Sequence, residues 1–103
     1  MTMTEITPMT NTVVKNLPLW NVILLNTDHH TFEFVIKLIV EVFEVNLSDA
    51  YDLTKKIHEE GQCIVMVTHK ERAELFQEKV KAFGCDENSK GPKEPLPCVI
   101  EPQ

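Results

Sequence analysis

Apolar and polar positions along the chain fall into blocks whose period changes. Trp20, Val22, Ile23, Leu24 and Leu25 form a short apolar run rich in β-formers, which predicts a buried strand over about 20–25. Asn26, Thr27 and Asp28 stop it with side chains that bond their own backbone and favour turns. From Phe32 the apolar residues 32, 35, 36, 39 and 43 share one face of a 3.6-residue period. This predicts a helix over about 31–44 with His30 or Thr31 as its N-cap. Asn46 then reads as an N-cap, and Asp49 puts a carboxylate in the first turn, where the helix dipole favours it. Leu47, Ala50, Tyr51, Leu53 and Ile57 define a second helix, about 47–60, and Gly61 supplies a left-handed stop.

The following run, Gln62 to Val67, predicts a strand with Ile64 and Met66 on one face and Cys63, Val65 and Val67 on the other. Being apolar on both faces, it is expected at the centre of the sheet. Thr68-His69-Lys70-Glu71 reads as a capping box opening a third helix to about Phe83, with Ala73, Phe76, Val80 and Phe83 inward and Gly84 at its end. Residues 85–95 form a polar loop with one Gly and two Pro. Leu96 to Glu101 supplies a last strand, expected at an edge because Pro97 lies within it. The order is strand, helix, helix, strand, helix, strand. Such elements pack as a small sheet with the helices on one face, an α+β sandwich.

Length and charge narrow the function classes. A chain of 103 residues supports one domain, expected over 19–103 and preceded by a flexible extension, 1–18, with five Thr before Leu17. A formal charge of −6, with basic residues scattered apart from Lys55-Lys56, argues against nucleic acid and membrane surfaces as partners. No apolar run approaches the roughly 20 residues of a membrane-spanning helix. The start of the chain has neither a basic nor an apolar region of signal-peptide type. Three cysteines without a CxxC read as reduced thiols of a cytoplasmic protein.

Ala50, Thr54, Ile57 and His58 share a face of the second helix, so Thr54 and His58 interrupt its apolar stripe. The bland explanation is a satisfied, half-buried histidine near a helix end. The functional one requires His58 to converge with Asn26 and Asp28. A free α-amino group is an ammonium with three N–H donors, and an amide oxygen, a carboxylate and a neutral imidazole would surround it with acceptors. Beside them an apolar pocket would take the first side chain of a peptide.

Asn26-Thr27-Asp28 followed by His30-Thr31-Phe32-Glu33-Phe34-Val35 resembles the Clp protease adaptor ClpS family. Its hallmark here is a strand ending in Asn-Asp-Asp, then Thr-Pro-Met-Glu-Phe-Val at a helix start. The likeness runs from about Trp20 to Phe83 and, more weakly, on to the C-terminus. It implies a ClpS-like sandwich with a three-stranded antiparallel sheet, and a monomeric adaptor with neither enzymatic activity nor cofactor. Such an adaptor binds N-degron proteins beginning with Phe, Leu, Tyr or Trp and hands them to the N-terminal domain of a Clp AAA+ unfoldase. By matching positions, Asn26, Asp28 and His58 would hold the α-amino group. Leu24, His30, Phe32, Val35, Thr54, Ile57 and Leu96 would line the side-chain pocket, and Glu71 would contribute to unfoldase docking. Six positions depart from the pattern: Thr27 replaces an acid, His30 and Thr31 replace the Thr-Pro of the helix start, Phe32 and Thr54 stand where Met is usual, and Phe76 occupies the second docking position, usually Lys.

Two rival classes remain at the level of sequence. Asp28, His29, His30 and His58 could ligate zinc, although no HExxH spacing is present. Alternatively, the chain could share only its fold with the family, similar to the C-terminal domain of the ribosomal stalk protein, and serve another partner. No Ser or Cys nucleophile with an oriented base is visible, and three glycines in all leave no phosphate-binding loop.

Overall fold

The computed structural model describes residues 18–87, 91 and 93–103. The expected extension, 1–18, lies outside these residues except for Pro18. The elements run β1 (Leu19–Leu25), α1 (Phe32–Phe43), α2 (Leu47–Glu60), β2 (Gln62–His69), α3 (Lys70–Phe83) and β3 (Cys98–Pro102). The strands form one antiparallel sheet in the order β2-β1-β3. Val22 and Leu24, both fully buried, point from the middle of β1 into the helical layer. There they meet Leu38 and Ile39 of α1, Ile57 of α2, and Ala73, Phe76 and Val80 of α3. Ile23 lies outside this cluster and forms a row with Ile64 and Val99 across the other face of the sheet. All three helices therefore cover one face.

The helix ends follow the local signals. Thr31 caps α1 by accepting the Phe34 N–H (3.1 Å), and Asn46 caps α2 by accepting the Asp49 N–H (2.8 Å). Gly61 closes α2 at φ 89°, a left-handed conformation that costs glycine nothing. The faces are less regular than their periods suggest. In α1 Leu38 and Val42 are buried, whereas Phe32 and Ile36 are half-buried. In α2 Leu47 and Tyr51 are 68% and 49% exposed, because the helix packs through Ala50, Thr54 and Ile57 instead.

Three expectations are corrected. The central strand is β1, and β2 is an edge. An apolar run on both faces suits an edge here because the ladder is irregular: Val22 pairs with Met66 and Ile23 with Ile64, leaving Val65 without a partner across the strand. That bulge breaks the simple alternation, so Val65 and Met66 are both partly buried against the core. The capping box is also absent. Thr68 pairs with Trp20 inside β2, so α3 starts at Lys70 with His69 as its N-cap and no side-chain cap bond. Long-range pairing has overridden a local capping motif. The last strand is an edge as expected, but it begins at Cys98, and Leu96 is buried ahead of it.

Phe76 is 5% exposed and stacks on Phe43 with ring centroids 4.9 Å apart, while Arg72 and Lys79 lie over its ring. Truncation should leave a cavity that this packing cannot fill. Phe76→Ala is expected to cost about 3–5 kcal/mol of unfolding free energy by denaturant melts. Asn46→Ala, which removes only a cap, should cost about 1 kcal/mol in the same measurement.

Candidate functional site

The far end of β1 is held from both sides. The Leu25 N–H donates to the Pro97 carbonyl (3.1 Å), and the Asn26 N–H donates to the Gly61 carbonyl (2.9 Å). Gly61 in turn donates to Ile57 (2.8 Å), so Asn26 is tied to the end of the helix that carries His58. Residues distant in sequence thereby meet at a cavity of about 270 Å³. Asn26, Thr27, Asp28, His30, Thr31, Phe32, Val35, Thr54, Ile57 and His58 line it. A cavity of about 150 Å³ is enough to hold a benzene ring. This one has room for an aromatic or branched aliphatic side chain.

The cavity gathers Asn26, Asp28 and His58 with five of the seven residues expected at a side-chain pocket: His30, Phe32, Val35, Thr54 and Ile57. Leu24 and Leu96 are buried in the core, 0% and 2% exposed, and do not line it. His58 is exposed rather than half-buried. Thr54, 2% exposed, satisfies its hydroxyl by donating to the Ala50 carbonyl (2.7 Å), one turn back in its own helix. Phe32 meets Tyr51 and His58 edge-on, with centroids 5.5 and 6.4 Å apart. These contacts favour one orientation of the ring at the cavity wall.

Thr27 and Thr31 also line the cavity, and a second group, on the connection between α3 and β3, supports it from behind. The buried Asp86 carboxylate accepts the Thr31 N–H (2.7 Å) at the N-terminus of α1, where the helix dipole favours an anion. Lys93 donates to the Asp86 and Glu87 carbonyls (3.4 and 3.0 Å). Glu94 meets both adjacent imidazoles, His30 Nε2 through its carbonyl (2.8 Å) and His29 Nε2 through its carboxylate (3.1 Å). Gly91 lies so close to His29 that a Cβ there would fall 2.6 Å from the histidine Cβ. Sequence separation hides this group: a polar loop of charged residues gives no local sign of which carboxylate turns inward.

Other chemistries find less support. Among the described residues no group of three or more His, Cys, Asp or Glu is placed to hold a metal ion. The ring nitrogens of His29 and His30 that reach outward are directed at Glu94. Burial pushes the Cys98 thiol up to about 11. Burial also raises that of Cys63, with Lys56 pulling the other way. Thiols held protonated in this way are poor nucleophiles. Of the expected docking positions, Glu71 is exposed on α3 and Phe76 belongs to the core. None of the helices is long and apolar enough to cross a membrane among the described residues.

Comparison with known proteins bears on the family and the fold. A family model described as ATP-dependent Clp protease adaptor protein ClpS matches residues 15–99. The ClpS adapter of Nostoc sp. (strain PCC 7120 / SAG 25.82 / UTEX 2576) is 40% identical over 74 residues, covering 71% of this chain and 76% of that one. That of Nautilia profundicola is 41% identical over 76 residues, covering 68% and 78%. The solved structure of Agrobacterium tumefaciens ClpS2 bound to L-phenylalaninamide superposes with a TM-score of 0.72 at 27% identity, covering 84% of this chain and 98% of that one. With its β-α-α-β-α-β order, its three-stranded antiparallel sheet and this match along most of its length, the chain belongs to the ClpS family of ATP-dependent Clp protease adaptors.

Proposed function

We propose that this adaptor recognises the free α-amino group and the bulky apolar first residue of N-degron proteins, and delivers them to a Clp AAA+ unfoldase. The observation that carries the reading is the meeting of Asn26, Asp28 and His58 beside Phe32, Val35 and Ile57 around a single cavity. An ammonium desolvated at its mouth needs a partner for each donor. The Asn26 amide oxygen, the Asp28 carboxylate and a bare His58 nitrogen are three acceptors of the right kind. Among the described residues no Lys or Arg lines the cavity to compete for Asp28. L-phenylalaninamide, the ligand of the similar ClpS2, has the chemistry of a peptide's first residue: a free amine, an aromatic side chain and an amide where the next residue would continue.

The residues that depart from the family pattern act on different parts of this task. Thr27 removes one negative charge beside the amine site, leaving Asp28 as the one carboxylate among the lining residues. Thr54 is smaller than the usual Met and enlarges the space for the first side chain. Misfit of one methylene is worth about 1–3 kcal/mol, so such exchanges shift a preference rather than abolish binding. We place the accepted range beyond Phe, Leu, Tyr and Trp, with Ile as the test case. For delivery, Glu71 on the exposed face of α3 is the docking residue, while Phe76 stabilises the helix from beneath.

Acetylating a Phe-first peptide removes the charge and two donors, and should lower affinity at least about 100-fold in a fluorescence titration. Asp28→Asn keeps the shape but not the charge and should cost about 10- to 100-fold, with an unchanged melting temperature. Unaltered binding in either case would point to a different partner. For the side-chain range, Ile- and Leu-first peptides should bind within about tenfold of each other, and Thr54→Met should widen that gap. A Phe, Leu, Trp and Tyr ranking with Ile excluded from the wild-type chain would reject the widened range.

A further inference from the structure

His30 stands where the family has Thr, and its ring is fixed from both ends. Its Nε2 lies 2.8 Å from the Glu94 carbonyl, which can only accept, so that nitrogen carries the proton. In the neutral ring Nδ1 is then bare, and it lies 2.5 Å from the Thr27 hydroxyl, which must donate to it. The same hydroxyl oxygen accepts the His30 backbone N–H (3.1 Å). Thr27 and His30 thus form a closed ring of bonds, and Glu94, 64 residues away along the chain, holds its far end. Packing adds to this hold: the His30 ring contacts those of His29 and Phe34, with centroids 4.8 and 5.3 Å away.

With both nitrogens engaged inside the protein, His30 has only carbon to offer the cavity it lines. Phe32 is the second aromatic ring on that wall. We propose that His30 is a specificity-determining residue, locked by Thr27 and Glu94 into a flat aromatic wall that favours ring-bearing first residues over aliphatic ones. This rests on the reading of the cavity as the site for an N-terminal residue. Ring–ring contacts in offset or edge-on geometry add to what buried area alone gives, which sets the preference at about 2- to 10-fold. The exchange of an acid for Thr27 takes on a second meaning: the hydroxyl that replaced a charge donates to the His30 imidazole while accepting the His30 backbone N–H.

Titrations of the full chain with L-phenylalaninamide, L-tryptophanamide and L-leucinamide test this, followed by calorimetry or NMR. The wild-type chain should favour the two aromatic amides over leucinamide by about 2- to 10-fold. Thr27→Ser, which keeps the hydroxyl, should preserve that ratio. Thr27→Val and His30→Leu should bring it close to parity. Nitrogen NMR of the wild-type imidazoles should show His30 as the Nε2–H tautomer, and this readout needs no variant to fold. Equal affinity for all three amides, an unchanged ratio in Thr27→Val, or the opposite tautomer would overturn the assignment while leaving N-terminal recognition intact. Failure of all three amides to bind would remove both.

Discussion

The structure depends on the anchoring of one strand end. β1 is paired on both sides, and where it stops, two backbone bonds continue the hold: Leu25 to Pro97 and Asn26 to Gly61. A strand flanked in this way is the hardest part of a small sheet to fray. Its last residues therefore inherit a fixed position without needing a rigid loop. The bond to Gly61 matters most, because it joins the Asn26 backbone to the cap of the helix bearing His58. Groups 32 positions apart in the sequence become neighbours through a single carbonyl, and the left-handed glycine is what turns that carbonyl toward the strand.

From this anchor the remainder of the site is built by short steps. Asn26, Thr27 and Asp28 leave the strand, and Thr31 starts α1 with its own side chain. Asp86 and Glu94 reach the same turn from the opposite end of the chain. Both contacts use the backbone of one partner, so they position the turn without depending on long side chains holding a single rotamer. Solvent-exposed ion pairs contribute little in comparison, and the His29–Glu94 carboxylate contact belongs with them.

The sequence was legible where structure is set locally. The Asn46 cap, the Gly61 stop and the apolar run of β1 each act within a few residues, and each appears where its chemistry predicts. It was less legible where a distant partner decides. Thr68 has the composition of a cap, yet pairing with Trp20 keeps it in a strand. The apolar run of β2 suits a centre or a bulged edge equally well, and only the position of β1 decides between them. Candidate chemistry divides in the same way. Thr54 and His58 stand out against an apolar stripe, but the convergence of Asn26 and Asp28 upon them came from family resemblance. Nothing in the run from Cys85 to Pro95 signals that Asp86 turns inward and Glu94 meets two imidazoles.

The bulge at Val65 has a consequence beyond packing. β2 carries Ile64 and Val67, 49% and 42% exposed, along a margin of the sheet. Apolar side chains beside unpaired backbone groups invite the addition of a foreign strand, the first step towards aggregation. An extra residue in the middle of that margin throws the hydrogen-bonding rhythm out of step, so an incoming strand that matches one half mismatches the other. The same irregularity that obscured the role of β2 in the sequence thus guards a greasy border in a protein whose work is to meet other polypeptides.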